Sequence, residues 1–249
     1  MTNSRDWDAA TYDRVADPQT RWGSAVLDRL PLDGDETVLD AGCGSGRVTE
    51  RLLDRLPRGR VVALDASPSM VDEARRRLAR FGDRVDFVVA DLGEPFDLPT
   101  GPVDAILSTA TFHWVPHHDA LFRNLAAVLR PGGRLVAQFG GAGNIASVKA
   151  VIASIGDGWL GPAHYETVEA TTRRLAAAGF VDVEAWLHPE PTRFERGEPF
   201  ETFLGTVILG PQVDRLPPED RAAYVHEVAT RLGEPLVDYV RLNVIARRA

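Results

Sequence analysis

Three apolar runs in the first hundred residues are each followed by an aspartate, at Asp40, Asp65 and Asp91. Continuous apolar runs bounded by turn residues are typical of strands that are buried on both faces. The stretches between the runs have helical character, as at 47–56 and from Pro68 onward. This alternation predicts a doubly wound α/β fold built on a mostly parallel sheet.

The same alternation continues beyond the third strand. A Pro-Gly-Gly turn at 131–133 separates a predicted helix from the next strand, and Gly179 closes a later helix. The further elements are strands at 103–109, 134–139, 181–186 and 239–246 and helices at 118–129 and 167–178. We therefore expect one α/β domain over residues 1–249.

Residues 187–237 fall outside this alternation and are too long for a hairpin loop. They hold two helix-like stretches, 199–209 and 217–232, so we expect a lid inserted before the last strand. The first stretch is more apolar than the docking of one small helix requires, and Phe203 is expected to form a wall of the substrate pocket. Ordinary core packing or a dimer contact would also account for these side chains.

A glycine-rich turn follows the first apolar run. The sequence Val-Leu-Asp-Ala-Gly-Cys-Gly-Ser-Gly places Gly42, Gly44 and Gly46 where the backbone can turn tightly and approach a ligand. A dinucleotide fingerprint would need glycine at the position of Arg47. Asp40 would repel a pyrophosphate but suits a ligand that carries an ammonium and a sulfonium, as S-adenosylmethionine does. The turn therefore predicts S-adenosylmethionine rather than a nicotinamide cofactor.

The next two strand ends supply candidates for the rest of that ligand. Asp65 stands where a carboxylate can accept both ribose hydroxyls. Met70 is a candidate to flank the adenine, and Asp91 and Leu92 to contact its amino group and ring nitrogen through a side chain and a backbone N–H. The predicted cofactor contacts on these strands and turns are Asp40, Gly42, Gly44, Gly46, Asp65, Ala66, Met70, Asp91, Leu92 and Thr109.

Together these motifs, with Leu-Arg-Pro-Gly-Gly-Arg-Leu at 129–135, resemble class I S-adenosylmethionine-dependent methyltransferases over roughly residues 5–186. Within that group, Trp-Asp-Ala-Ala-Thr-Tyr at 7–12 and Phe-His-Trp-Val-Pro-His at 112–117 are similar to the trans-aconitate methyltransferase branch of small-molecule enzymes. The resemblance implies a seven-stranded sheet of order 3-2-1-4-5-7-6 in which the last strand is antiparallel.

The resemblance also implies a cover over the cofactor. Residues 1–30 are expected to form an N-terminal helical cap in which Tyr12 and Trp22 contact the cofactor. Anchoring of the N-terminal helix would equally account for these aromatic side chains. The branch usually carries an asparagine where this chain has Thr109, so the acceptor is left open.

The methyl acceptor is expected beside the loop that follows the fourth strand. His113 and Trp114 in that loop are the main catalytic and substrate-binding candidates, and Gln138 at the end of the fifth strand is a further substrate contact. Methyl transfer is an in-line displacement, so the protein mainly positions the nucleophile and excludes water. A carboxylate such as trans-aconitate needs no base, whereas His113 could deprotonate a phenol, hydroxyl or amine. Hydrogen bonding to the substrate and a purely structural role are the other interpretations of His113.

Composition limits the classes of function. The 249 residues are 44% hydrophobic and carry a net charge of -8, which opposes nonspecific binding to nucleic acid. The sequence shows neither a signal-peptide pattern nor an apolar run long enough for a membrane span, so we expect a cytoplasmic monomer or homodimer that acts on a small molecule.

No metal is expected, because His117, His118 and Asp119 are adjacent and point to different sides. Cys43 is the only cysteine and is expected to be buried.

Several alternatives are left open by the residues. Arg193, Arg196 and Arg241 are available to bind a carboxylate, but arginine is so abundant in this chain that none of them can be selected. The apolar lid would also fit O- or N-methylation of a more hydrophobic metabolite. A cofactor-binding protein without methyl transfer and a nicotinamide oxidoreductase are the remaining functional alternatives.

Overall fold

A computed structural model describes the backbone of residues 17–249 and the side chains from Trp22 onward. The predictions for Tyr12 and for the first part of the N-terminal cap lie outside these residues. The described chain begins with helix α1, Asp17–Leu27.

Seven strands form the main sheet in the order β3-β2-β1-β4-β5-β9-β6. Strands β1 to β5 are parallel to one another, whereas β9 is antiparallel to both β5 and β6. This topology confirms the predicted fold and strand order; the numbering differs because two short strands, β7 and β8, precede the last one. The strands are β1 Thr37–Ala41, β2 Arg60–Asp65, β3 Val85–Val89, β4 Val103–Thr109, β5 Leu129–Gly140, β6 Phe180–Pro189, β7 Thr192–Arg193, β8 Leu236–Val237 and β9 Val240–Arg248.

Helices cover both faces of the sheet because successive strand residues point to opposite sides. Val38 packs into a core with Leu52 and Leu53 of α2, whereas Leu39 packs into a second core with Phe122 of α4. Both faces of the parallel strands are therefore apolar, as the continuous runs predict. The helices that build these two cores are α1, α2 Arg47–Asp54, α3 Pro68–Leu78, α4 His118–Val128 and α6 Val168–Ala177.

The fifth strand begins earlier than the sequence predicts. Val103 pairs with Leu129 and Ala105 with Arg134, so the residues between Leu129 and Arg134 form an irregularity in the ladder. The Pro-Gly-Gly sequence lies in this irregularity, where proline cannot donate a ladder hydrogen bond and Gly132 has a φ of +79°. The predicted turn is therefore contained within β5.

The segment at 187–237, for which the sequence predicts a lid and which is called the lid below, contains several helices that pack on α5, Ala146–Ala153. The predicted helix at 199–209 is broken, because Leu204–Ile208 winds as a π-helical turn in which Leu209 N–H donates to Leu204 O at 2.8 Å. Pro211 lacks the N–H that would extend the helix and instead lies in the first turn of the next one. The lid helices are α7 Glu198–Phe203, α8 Gly210–Asp214 and α9 Pro218–Leu232.

Within residues 17–249, no helix is both long enough and apolar enough to cross a bilayer.

The two-faced core predicts how single truncations change stability. Leu135 is fully buried on β5, whereas Leu187 on the edge strand β6 is 37% exposed. Leu135→Ala should lower the free energy of unfolding by about 2–5 kcal/mol, because it leaves a cavity among packed side chains. Leu187→Ala is the matched control and should cost less than about 1 kcal/mol. Urea unfolding measures both, and equal losses would contradict this description of the core.

Candidate active site

A cavity of about 920 Å³ opens at the carboxyl ends of the parallel strands. It lies beyond the point where the chain order reverses between β1 and β4, which is where open α/β sheets bind ligands. One end is formed by the turns after β1, β2 and β3, and the other by the lid, the loop before α6 and the start of β9. Of the predicted site residues, Gly42, Gly44, Asp65, Ala66, Met70, Asp91, Leu92, Thr109, His113 and Trp114 line it.

The turn after β1 depends on its glycines. Gly42, Gly44 and Gly46 have φ values of +86°, +53° and +83°, which L side chains rarely adopt. A Cβ on Gly42 would lie 2.1 Å from Thr111 Oγ1, so this position admits no side chain. A Cβ on Gly44 would meet no protein atom within 4 Å, so the backbone there is open to a ligand. Gly46 precedes α2 and does not line the cavity.

The Asp65 carboxylate connects this turn to the start of α3. It accepts hydrogen bonds from Gly44 N–H and Ser67 N–H, both at 2.9 Å. Burial raises the pKa of Asp65, and these backbone hydrogen bonds oppose that rise. Each carboxylate oxygen has a second lone pair, so Asp65 can also accept hydrogen bonds from a ligand in the cavity.

Asp40 lies behind the glycine turn and does not line the cavity. It is 1% exposed, and its Oδ2 accepts a hydrogen bond from Thr49 Oγ1 at 2.7 Å. Its Oδ1 has no hydrogen-bond partner among the described residues. Burial raises the pKa of Asp40 to about 7; the Thr49 hydrogen bond lowers it, and the nearby Asp65 charge raises it. A nearby cation would favour the ionised form of this carboxyl group.

His113 is held at the opposite end of the cavity. Its Nδ1 accepts a hydrogen bond from Gly140 N–H at 3.3 Å, and its backbone O accepts one from His164 N–H at 2.7 Å. Burial, followed by the charges of Arg241 and His118, places the pKa of His113 well below its usual range. His113 is therefore a neutral imidazole, and because Nδ1 is an acceptor, its proton lies on Nε2.

Arg241 is a cavity residue that the sequence could not select. It is the second residue of β9 and is 3% exposed. Its guanidinium carbon lies 4.8 Å from the ring centre of Trp22 and 5.9 Å from that of Tyr239. The insertion of β9 beside β5 pairs Arg241 with Gly140, whose N–H holds His113. A buried cation is thereby placed near His113, in the loop between β4 and α4.

The two other candidate arginines are on the outer surface of the lid. Arg193 pairs with Glu234 at 3.1 Å with both side chains exposed, and Arg196 donates to Gly233 O at 2.9 Å. Neither lines the cavity. Only the topology, through the position of β9, distinguishes Arg241 from them.

Three further predicted residues lie close to the cavity without lining it. Gln138 donates to Asn243 Oδ1 at 2.8 Å, inside the sheet. Phe203 is 1% exposed and packs on Phe194, with ring centres 4.1 Å apart, so it belongs to the core of the lid. Trp22 is buried against Tyr239, with ring centres 4.9 Å apart, and supports Arg241.

Sequence reasoning also missed the loop that faces His113. The ring centre of Tyr165 lies 5.8 Å from that of His113. The ring centre of Trp114, the next residue along the chain, lies 5.0 Å from that of His113. Two cavity residues, Ala110 and Ile145, have positive φ values of 57° and 50°. Such conformations are concentrated at functional sites in proteins. The glycines at 156, 158 and 161 were the available signal for this loop.

Metal chemistry has no visible site in the described part of the chain. No group of three or more His, Cys, Asp or Glu side chains among the residues searched is arranged to hold an ion. Cys43 is buried, and burial raises the pKa of its thiol well above the usual range.

Comparison with known proteins identifies the family. A model of the methyltransferase domain matches residues 38–133. A trans-aconitate 2-methyltransferase from Methylobacterium nodulans is 31% identical over 98% of this chain and 98% of its own length. The chain belongs to the class I S-adenosylmethionine-dependent methyltransferases. This methyltransferase therefore uses S-adenosylmethionine as its methyl donor, as the glycine turn and Asp40 predict, and not a nicotinamide cofactor.

Solved structures share the fold at lower identity. A phosphoethanolamine N-methyltransferase from Haemonchus contortus, in complex with phosphomonomethylethanolamine and S-adenosylhomocysteine, has a TM-score of 0.64 at 17% identity, over 96% of this chain and 56% of that one. The [4+2]-cyclase SpnF has a TM-score of 0.60 at 23% identity, over 92% and 80% of the two chains. At these identities the likeness concerns the fold of the methyltransferase alone.

The position of Asp65 predicts a loss of cofactor affinity on mutation. If its carboxylate binds both ribose hydroxyls, Asp65→Ala removes two hydrogen bonds to a charged group, each worth about 1.5 kcal/mol or more. Calorimetric titration should then show binding of S-adenosylhomocysteine weakened about 100-fold or more. Asp72→Ala, on the exposed side of α3, is the control and should bind like wild type. Wild-type affinity in a folded Asp65→Ala protein would exclude the assignment.

The pKa of Asp40 predicts how stability changes with pH. Its folded-state pKa of about 7 lies above the ordinary value of 3.8, so ionisation favours the unfolded chain between those values. Relative to Asp40→Asn, the wild-type free energy of unfolding should fall by about 1 kcal/mol per pH unit as pH rises from about 5 to about 7. Urea unfolding without ligand measures this difference. A difference that does not change with pH would contradict the raised pKa.

Proposed function

We propose that this methyltransferase transfers the methyl group to a carboxylate oxygen of a small organic acid. The observation that carries the proposal is the pair formed by His113 and Arg241 at the acceptor end of the cavity. One is a neutral imidazole whose proton lies on Nε2, and the other is a buried cation on the cavity wall. Both are donors, and a carboxylate is an acceptor that can use both.

The protonation state of His113 argues against a base. A general base needs a free lone pair within reach of the proton that it removes. The Nδ1 lone pair of His113 is directed to Gly140 N–H, and Nε2 carries the proton. His113 is therefore suited to donate a hydrogen bond to the acceptor. Since a carboxylate is already a nucleophile, it needs no proton removed, unlike an alcohol, phenol or ammonium group.

Arg241 supports an anionic acceptor. A guanidinium presents several N–H donors in a plane, which matches the geometry of a carboxylate. In the low-dielectric interior, this charge attracts an anion more strongly than it would at the surface. The relatives named trans-aconitate 2-methyltransferase, such as the Methylobacterium nodulans protein, are consistent with a carboxylate acceptor.

The other end of the cavity fits the cofactor. Bound S-adenosylmethionine supplies a methyl group on a positively charged sulfur, ready for displacement by a nucleophile. We assign Asp65 to the ribose hydroxyls and Asp91 with Leu92 to the adenine, with Ala66 and Met70 beside the ring. The open space at Gly44 and the buried Asp40 carboxyl group behind the turn support a cationic ligand over the glycine turn. Cofactor contacts at Gly42, Gly46, Thr109, Tyr12 and Trp22 stay predictions.

The remaining work of the protein is positioning and exclusion of water. Trp114 and Tyr165 flank the His113 ring, and Val207 and Ile208 of the lid close the same end of the cavity. These side chains limit where an acid held by Arg241 and His113 can lie. Holding a carboxylate oxygen in line with the methyl group replaces a bimolecular encounter with an oriented one.

A comparison of matched acceptors tests the proposal. The enzyme is incubated with methyl-labelled S-adenosylmethionine and a series of acids, which includes trans-aconitate and aliphatic and aromatic monocarboxylates. Parallel reactions contain the alcohol and the amine that have the same carbon skeleton as each acid. We expect S-adenosylhomocysteine and a base-labile methyl ester from acids alone. Methylation of the alcohols or amines would contradict the proposal, and so would tight cofactor binding without an ester from any acid.

Two variants of His113 separate a donor from a base. His113→Gln keeps an N–H donor but has no basic nitrogen, whereas His113→Phe keeps a ring and removes the donor. We expect the glutamine variant to retain turnover within about tenfold, and the phenylalanine variant to raise the acceptor KM more than about tenfold. Because the pKa of His113 lies well below its usual range, wild-type kcat at saturating cofactor should be constant from about pH 6.5 to about pH 8.5.

Both variants should bind S-adenosylhomocysteine like wild type, which serves as the control for folding. If both variants are equally inactive and wild-type kcat rises with pH, His113 acts as a base and its assignment as a donor is wrong.

A further inference from the structure

The acceptor end of the cavity is apolar apart from a few side chains. Its walls come from α5, from the loop before α6 and from the π-helical turn of the lid. The apolar residues that line it include Ile145, Ile152, Trp159, Leu160, Val207 and Ile208. An acceptor that fills this space exchanges water for hydrocarbon contact over most of its surface.

The charges at this end are few. Among the described residues that line it, Arg241 is the cation, and Asp214 carries the opposite charge. Asn144 is engaged within the protein, because its Oδ1 accepts from Val240 N–H at 2.9 Å and its side chain hydrogen-bonds to Tyr165. One carboxylate can therefore be neutralised at Arg241. A second and third carboxylate would face apolar walls or Asp214, and burying an unpaired charge is costly.

Two of these walls, the lid and the loop before α6, are in direct contact with each other. Arg215 in the lid lies over the Trp159 ring, with 4.3 Å from its guanidinium carbon to the ring centre, and pairs with Asp157 at 2.9 Å. Gln212 Nε2 also donates to Trp159 O at 3.5 Å. These contacts hold the loop before α6 and the lid together at the acceptor end. The apolar side chains of both segments therefore line one pocket.

We infer that the acceptor is a monocarboxylic acid with an extended apolar body, whose carboxylate is held by Arg241 and His113 and whose body lies against the lid. This inference rests on the proposed carboxylate methylation and specifies its substrate class. The reaction forms a bond between a carboxylate oxygen and the methyl carbon and breaks the bond between that carbon and sulfur. The products are a neutral methyl ester and S-adenosylhomocysteine.

The test uses acids with a common trans-alkenoic head. Trans-2-butenoate lacks an apolar body, trans-2-hexenoate and trans-2-octenoate extend it, and trans-aconitate carries additional carboxylates. Formation of each methyl ester by the enzyme is followed by mass spectrometry. We expect kcat/KM to rise about threefold to fourfold for each methylene that becomes buried. Trans-2-octenoate should exceed trans-aconitate by more than about tenfold.

A lid variant links this preference to the named wall. Val207→Asn replaces an apolar wall residue with a polar one and should lower kcat/KM for trans-2-octenoate about tenfold while sparing trans-2-butenoate. Val213→Asn, which lies in the lid outside the cavity lining, should leave the ratio between the two acids unchanged. Because the readout is a ratio between acceptors, a general loss of folding would not imitate it.

The outcomes separate this inference from the proposed function. Trans-aconitate methylated as efficiently as trans-2-octenoate, or no gain with chain length, would overturn the substrate class and leave carboxylate methylation in place. An enzyme that binds S-adenosylhomocysteine but forms no ester from any of these acids would overturn the proposed function and this inference with it.

Discussion

Burial of charge at one edge of the sheet is the constraint that shapes this site. The parallel strands place Asp40 and Asp65 where two apolar layers meet, and a carboxylate in such a position is costly unless it is hydrogen-bonded. The Thr49 hydroxyl donates a hydrogen bond to Asp40, and the backbone N–H groups of Gly44 and Ser67 donate hydrogen bonds to Asp65. The glycine turn therefore leaves open space at Gly44 and also donates a hydrogen bond to the Asp65 carboxylate.

The antiparallel insertion of β9 adds the opposite charge. Because β9 runs against β5, its first residues lie at the edge where the parallel strands end, and Arg241 lies opposite Gly140. The guanidinium lies near the faces of Trp22 and Tyr239, and its charge helps to keep His113 neutral. The cavity thus has acidic groups at the end formed by the turns after β1, β2 and β3, and the donors His113 and Arg241 at the other end. This polarity supports the proposal that the acceptor is an anion.

The sequence predicted those features that local physics decides. The glycine turn and the strand ends at Asp65 and Asp91 are encoded within a few residues. Contacts between distant segments were not predictable in this way. The Gln138 side chain donates a hydrogen bond to Asn243, which is 105 residues away in sequence, and is therefore not directed at the cavity. The π-helical turn likewise changes the face that the lid presents, so Val207 and Ile208 reach the cavity instead of Phe203.

We propose that the buried charge of Arg241 selects an anionic acceptor. The most direct test compares Arg241→Met with Arg247→Met, since Arg247 lies on the same strand but is exposed and pairs with Asp182 at 2.8 Å. For an acid that the enzyme methylates, Arg241→Met should raise the acceptor KM more than about tenfold while the affinity for S-adenosylhomocysteine is unchanged. Arg247→Met should change neither. An unaltered acceptor KM in a folded Arg241→Met enzyme would contradict this role of Arg241.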